Sequence, residues 1–285
     1  MIDLHTHTTA SDGQCSPAEL VHRAVKGGVT VLGVTDHDTV GGCAAAARAC
    51  RDAGIDFVPG TEITAVVNDR DVHVLGYFID TESEDLQRFL SEQRARRIDR
   101  VRDMVARLAG HGIDLDVDRI LEPGVTDTSR AVGRPWIARA LVAGGHVTNV
   151  SEAFVRWLAP GRPAFVPRVA AEPPEVFDRI HQAGGLASLA HPVQMKRDDR
   201  IPGYAAAGLD ALEVYHADHD GFATAHYLGL ATTLNLAVTG GSDYHGDEHG
   251  GAGPGQVSLP RTHYERLLAL RPTRRASASG SDTSS

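Results

Sequence analysis

Short β-branched runs alternate with helical ones along most of this chain, and most of the strand-like runs end in histidine or a carboxylate. Ile2-Asp3-Leu4-His5, Val29–Val34, Ile55–Val58, Val72–Phe78, Leu186–Ala190, Ala211–Tyr215 and Leu236–Thr239 read as strands. Helical patterns lie between them at Pro17–Gly27, Ala44–Ala53, Ser83–Gly110, Pro174–Ala183, Ile201–Ala207 and Phe222–Asn235, with a last helix at Pro260–Leu270. Ser16 and Pro17 open the first helix as N-cap and first-turn residue, and Gly54 closes the second. The alternation predicts an α/β protein with a parallel sheet or barrel. Residues 111–167 break the rhythm with two or three short helices and several Gly and Pro, so they predict a helical insertion between a first part (1–110) and a second (168–272). The end, 273–285, runs into Ser, Ala and Gly that can bury nothing and predicts a disordered tail. The long helix Ser83–Gly110 carries Arg88, Arg94, Arg96, Arg97, Arg100, Arg102 and Arg107 opposite its apolar stripe; with Glu92, Asp99 and Asp103 they predict a solvated face laced with intrahelical ion pairs.

Composition narrows the function. The net charge of −9 leaves no protein-wide positive field for nucleic acid or anionic membrane. No apolar run is long enough to span a bilayer, and Asp3, His5 and His7 directly after Met1 leave no room for a signal peptide. Cys15, Cys43 and Cys50 form no CxxC pair, which predicts idle thiols in a reducing cytoplasm. The only lysines are Lys26 and Lys196, so lysine chemistry has few candidates. Histidine, by contrast, is abundant, at 15 residues.

The histidines and carboxylates cluster where strands end. His5-Thr6-His7 ends the first, and Asp12 lies in the loop after it. Asp36-His37-Asp38 ends the second, Glu62 follows the third, His73 lies in the fourth, His191 follows the fifth, and Asp243 and His245 follow the last. In α/β barrels the loops at strand C-termini build the active site, so six histidines and three carboxylates converge on one rim. Imidazole and carboxylate without thiolate suit Zn, Mn or Fe. Nine ligands exceed the needs of one tetrahedral ion, predicting two or three divalent transition-metal ions.

The pattern His5-x-His7, Asp12, Thr35-Asp36-His37-Asp38, Gly60-Thr61-Glu62, His73, His191-Pro192 and Gly241-Ser242-Asp243-x-His245 resembles the polymerase-and-histidinol-phosphatase (PHP) superfamily over roughly residues 1–80 and 175–260. The resemblance implies a distorted (β/α)7 barrel with a trinuclear site that hydrolyses phosphoesters. It implies one ion on His5, His7, Glu62 and Asp243, a second on Glu62, His73 and His191, and a third on Asp12, His37 and His245. Gly133-Arg134-Pro135-x-Ile137-Ala138-Arg139-Ala140-Leu141, Phe154 and Pro160-Gly161-Arg162-Pro163-Ala164 resemble the insertion-bearing subgroup containing nucleoside 3′,5′-bisphosphate phosphatases and 5′-to-3′ RNA-trimming exonucleases. Trp136 departs from that subgroup, where a histidine is expected; it reads as a core or lid residue, or as a platform for a nucleobase.

A metal-activated hydroxide needs no side-chain nucleophile, and Ser242 lacks the Gly-x-Ser-x-Gly surroundings of one. Asp36 and Asp38 are expected to orient the His37 ring. Arg130, Arg134 and Arg139 of the insertion are candidates for gripping phosphate, and His216 for a general acid or substrate contact. The expected activity is release of the 3′-phosphate from nucleoside 3′,5′-bisphosphates, a small phosphorylated substrate. The alternatives are 5′-to-3′ hydrolysis of short 5′-phosphorylated RNA, an amidohydrolase with a carboxylated-lysine bridge, and a degenerate binding module, which would have lost ligands. No protein or membrane partner is evident.

Overall fold

A computed structural model describes residues 1–247 and 251–271, so the predicted tail at 273–285 lies outside the described residues. Seven strands form one sheet in chain order: β1 (Ile2–Asp3), β2 (Val31–Val34), β3 (Asp56–Val67), β4 (Arg70–Tyr77), β5 (Leu186–Leu189), β6 (Ala211–Tyr215) and β7 (Ala237–Gly240). The sheet closes on itself. Leu4 N–H donates to the Gly240 carbonyl at 3.2 Å, Asp243 N–H donates to the His5 carbonyl at 2.8 Å, and Thr6 bridges Tyr244 in parallel. The result is the expected seven-stranded α/β barrel.

Its distortion lies at β3 and β4. A parallel arrangement was expected, with the third strand stopping at Val58; instead β3 runs for 12 residues and β4 is antiparallel to both its neighbours. Pro59-Gly60 looks like a strand end but marks a change of partner. Residues 56–59 pair with β2, and residues 60–67 pair with β4. The hairpin turns at Asn68 and Asp69, with φ of 49° and 59°, the left-handed pair that a two-residue turn between right-twisted strands requires. Glu62 therefore sits inside β3, and His73 inside its antiparallel partner.

The helices are α1 (Pro17–Lys26), α2 (Cys43–Ala53), α3 (Glu84–Ala109), α4 (Val117–Thr126), α5 (Arg134–Ala143), α6 (Val150–Ala153), α7 (Pro173–Gln182), α8 (Pro192–Met195), α9 (Ile201–Ala206), α10 (Gly221–Thr233) and α11 (Arg261–Ala269). The Ser16–Glu19 capping box starts α1. Barrel strands pack against α7 and α9–α11 in one apolar core, while α1 and α2 share a second with Leu32 and Val34. Helix α3 is common to two units. Leu86, Phe89 and Leu90 join the barrel core, whereas Val101, Met104, Val105 and Leu108 join a separate core with Ile120, Leu121, Ile137, Leu141 and Leu158. The insertion thus forms a cap seated on the second half of α3.

That seating corrects the reading of the α3 arginines. Arg88 and Arg102 make intrahelical pairs with Asp85 and Asp99, but Arg97 and Arg100 are buried. Arg94 donates to the Thr128 and Asp38 carbonyls, and Arg100 to the Val166 carbonyl at 2.8 Å. Arg107 bonds the Phe165 carbonyl. A charged stripe on a helix looks the same in sequence whether water or another unit covers it. All three cysteines are free and buried, and burial pushes the Cys43 and Cys50 thiols up to about 12 and 11. Among the described residues no helix is long and apolar enough to cross a membrane.

Candidate metal centre

His5 and His7 follow β1 two residues apart, so extended backbone turns both imidazoles to one side. The turn carrying Asp243 crosses them so tightly that a Cβ at Gly241 would stand 2.3 Å from the His5 nitrogen. Asp38, His191 and Asp243 all have positive φ (50°, 24° and 53°), conformations that non-glycine residues adopt at a cost and that concentrate at working sites.

Asp36 and Asp38 do not orient His37 as expected. Asp36 instead accepts from Thr8 N–H, Thr8 Oγ1 and Ser11 Oγ, each at 2.7 Å, and so fastens the loop that carries Asp12. Asp38 accepts from Thr64 N–H at 2.9 Å and pairs with Arg97. Both act on backbone position, which adjacency in sequence did not reveal.

Glu62 lies at the centre. Its Oε2 is 3.2 Å from both His5 Nε2 and His7 Nε2 and 3.3 Å from His37 Nδ1. Oε1 is 2.6 Å from His73 Nδ1 and 3.0 Å from His191 Nε2. Asp243 Oδ1 reaches His5 and His7 at 3.2 and 3.1 Å. Asp12 faces His245 Nε2 at 3.3 Å and His37 Nε2 at 3.8 Å. All nine residues read from the sequence are therefore brought together. Ligand atoms gather into His5–His7–Glu62–Asp243, His7–Asp12–His37–His245 and His37–Glu62–His73 groups, each within 4.8 Å. The third places His37 beside Glu62 and His73 where the resemblance implied His191.

The charges suit cations. Burial alone would raise the carboxyls of Asp12, Glu62 and Asp243, yet the surrounding histidines hold all three well below the ordinary range. Burial opposes charge on His7, but hydrogen bonds to Asp243 and Glu62 raise it to about 10; burial drops His37 to about 3. His7 Nδ1, Asp12 Oδ1 and His37 Nδ1 are buried without a hydrogen-bond partner, although His245 and Glu62 stand 3.3 Å from the last two. Their residues belong to groups whose ligand atoms lie within 4.8 Å of one another. Orphaned buried donors and acceptors are costly, and divalent ions fit the donor set that produces them.

Sequence reasoning missed four residues. Glu213 accepts from His5 Nδ1 at 2.9 Å, which leaves His5 Nε2 facing the cluster, and also accepts from His191 N–H at 2.7 Å. Buried Asp3 accepts from Ser242 N–H and Gly255 N–H, both at 2.9 Å, holding the Asp243 turn. Asp71 and Arg168 belong to a buried ionic group: Arg168 lies 3.6 Å from both Asp38 and Asp71, and Arg134 and Arg100 lie 3.0 and 3.9 Å from Asp71. A carboxylate at an inward strand position, as at Glu213, was the available signal.

His216 sits against the cluster, its Nε2 3.3 Å from Asp243, with Nδ1 accepting from Asp218 N–H. Arg134 lies over Phe154, 5.8 Å from the ring centroid. Arg130 Nε donates to the Thr9 carbonyl at 2.9 Å and Arg139 Nη2 to the Asp12 carbonyl at 2.5 Å. Trp136 packs on the cap core and is half-buried, with the Arg130 and Arg139 guanidiniums over its ring. Lys26 and Lys196 are both exposed, whereas Glu62 turns one oxygen to His5 and His7 and the other to His73 and His191.

The PHP domain family matches residues 3–123. A 5′-3′ exoribonuclease of Haemophilus influenzae is 34% identical over 253 residues, covering 85% of this chain and 89% of that protein. The chain belongs to the PHP family. A second PHP relative, the 3′,5′-nucleoside bisphosphate phosphatase of Chromobacterium violaceum, is 34% identical over 262 residues, covering 90% and 91% of the two chains. The solved structure of a Bifidobacterium adolescentis protein, described as a candidate metal-dependent phosphoesterase, superposes with a TM-score of 0.86 at 33% identity, covering 94% and 95%. The match spans barrel and cap together.

Proposed function

We propose that this PHP protein releases the 3′-phosphate of nucleoside 3′,5′-bisphosphates, with two or three divalent ions (Mn, Fe or Zn) held by the nine clustered residues. Barrel segments 1–110 and 168–272 supply the ligands, and cap 111–167 supplies substrate contacts. The family and the relatives named above make hydrolysis of a phosphoester the reaction class. The observation that carries the finer reading is the guanidinium group beside the cluster. Among the described residues, Arg97, Arg100, Arg134 and Arg168 make their ion pairs with two carboxylates, Asp38 and Asp71. Burial presses Arg168 and Arg100 down to about 9 and 10, still charged at neutral pH, and Arg168 Nε and Arg100 Nη2 are buried without hydrogen-bond partners. Asp71 is two residues from His73 on the same face of β4, about 7 Å along the strand. A substrate with two phosphates would set one at the histidines and the other at this excess of positive charge.

When bound, the ions supply Lewis acidity to the phosphoryl group and to water. Around them, Glu213 and Asp3 fix His5, His191 and Asp243. With Nδ1 accepting from backbone, His216 holds its proton at Nε2, where it is available to the departing 3′-oxygen as water adds to phosphorus and the P–O bond breaks. Arg134 grips the second phosphate. The free, buried thiols suit the reducing cytoplasm where such nucleotides would be met.

A second reading, stepwise 5′-to-3′ hydrolysis of short 5′-phosphorylated RNA, is favoured by the name of the Haemophilus relative and would use the same guanidinium group for the terminal phosphate. Turnover by manganese-reconstituted protein, read as inorganic phosphate for the monoesters and as released mononucleotide for the dinucleotide, tests both. The bisphosphate should be turned over faster than a nucleoside 5′-monophosphate, histidinol phosphate or a 5′-phosphorylated RNA dinucleotide. Faster cleavage of the dinucleotide puts the second reading first.

A further inference from the structure

We infer that Trp136 is a positioning residue for Asp12: it holds the Arg130 and Arg139 guanidiniums against the loop that presents this carboxylate to His37 and His245. The inference rests on the metal-binding reading of the cluster and extends it from the barrel into the cap.

The loop between Thr8 and Gln14 is fastened from two sides. On the barrel side, Asp36 takes Thr8 and Ser11, and Gln14 N–H donates to the His245 carbonyl at 2.8 Å. On the cap side, three successive contacts fall on loop carbonyls. Arg130 Nε donates to Thr9 at 2.9 Å, Ala131 N–H to Ala10 at 2.8 Å, and Arg139 Nη2 to Asp12 itself at 2.5 Å. The barrel's hydrogen bonds fall on Thr8, Ser11 and Gln14, and Gly13 packs against the His7 backbone, while the hydrogen bond to the Asp12 carbonyl comes from the cap. Asp12 is thus held at its own peptide by the cap.

Arginine is a poor fixed point by itself, because its side chain loses much rotamer freedom when held in one geometry. Trp136 supplies the constraint. The Arg130 and Arg139 Cζ atoms lie 5.6 and 5.7 Å from its ring centroid, within cation–π range. Trp136 and Arg139 are three residues apart in α5 and so share a helix face. The indole is itself anchored, packed on the cap core that includes Ile137 and Leu141. A rigid ring therefore fixes two long side chains, and these fix the backbone on which Asp12 depends. The unusual tryptophan acts within the protein rather than on a base.

The test is manganese titration of chelator-stripped wild type, Trp136→Ala, Trp136→Phe and Arg139→Gln, followed by calorimetry and by metal content after gel filtration. Losing an outer support of a metal ligand weakens binding about 10- to 100-fold. Trp136→Ala should weaken one ion by that factor and leave the others unchanged; Trp136→Phe, which keeps an aromatic face, should restore it to within about threefold. Arg139→Gln should reproduce the single-ion loss with the indole intact, and it decides the matter if Trp136→Ala does not fold. Unchanged binding in Arg139→Gln, or equal weakening of every ion in Trp136→Ala, overturns the inference. Wild type that binds no ion sensitive to Asp12→Ala overturns the metal-centre reading beneath it.

Discussion

Glu62 meets five imidazoles with two oxygens, and the geometry of those imidazoles depends on residues outside the nine read from the sequence. Glu213 is the clearest: by accepting from His5 Nδ1 it selects the tautomer whose Nε2 faces Glu62 and Asp243. Glu213→Gln is expected to weaken metal binding about 10- to 100-fold with the barrel intact; isothermal titration with manganese checks this, and unchanged affinity would remove Glu213 from the site. Asp71 carries a pH dependence. Burial would raise its carboxyl, but Arg168, Arg134 and Arg100 hold it at about 2 against an ordinary 3.8. A folded-state pKa below the unfolded one gives stability that is present above about pH 4 and is lost as pH falls through 2. At about 1.4 kcal/mol per unit this is of order 2 kcal/mol. Asp71→Asn should therefore be less stable than wild type at pH 7, with the gap narrowing below pH 4; urea unfolding at pH 7 and pH 3 measures it. The nine clustered residues were legible because histidines and carboxylates stand at strand ends within short motifs. Glu213, Asp3 and Arg168 were not, since their meaning lies in partners far away in sequence: Glu213 meets His5 across 208 positions.

Among the elements, α3 joins barrel to cap, and its two halves lie in different cores. Leu108 is fully buried in the cap half. Leu108→Ala should cost about 2–5 kcal/mol, and hydrogen exchange should show faster opening in 111–167 than in β5–β7. Equal loss of protection throughout would mean that cap and barrel unfold as one unit. Alternating patterns located the strands to within a few residues, with β3 the exception, because the local chemistry of Pro59-Gly60 signals a stop while long-range pairing carries the strand on through Val67. The Asn68-Asp69 turn was the signal for the antiparallel hairpin. For α3, helical periodicity identified the element but not what covers its arginine face, which is a property of tertiary packing.

The whole molecule gathers three carboxylates and six imidazoles at one end of a closed barrel, and binding of ions there should stabilise the fold by mass action. Removing metal with a chelator is expected to lower the Tm, by an amount equivalent to about 2.7 kcal/mol for each ion present at a hundred times its Kd. Scanning calorimetry before and after readdition of manganese checks it, and an unchanged Tm counts against a resident cluster. Arg134 of the cap is held by Asp71 and Phe154 and lies outside the ligand groups. Because it also pairs with Asp71, its removal carries some loss of stability, which the sequence alone did not indicate. The central claim is that one phosphate reacts at the histidines while a second is gripped by these arginines. It is tested most directly by kcat/KM on a nucleoside 3′,5′-bisphosphate and on an aryl phosphate, for wild type and Arg134→Ala under saturating manganese. A charge-assisted hydrogen bond of about 1.5–3 kcal/mol predicts a loss of about 10- to 150-fold on the bisphosphate and little on the aryl phosphate. Equal losses on both substrates, or none on either, would contradict it.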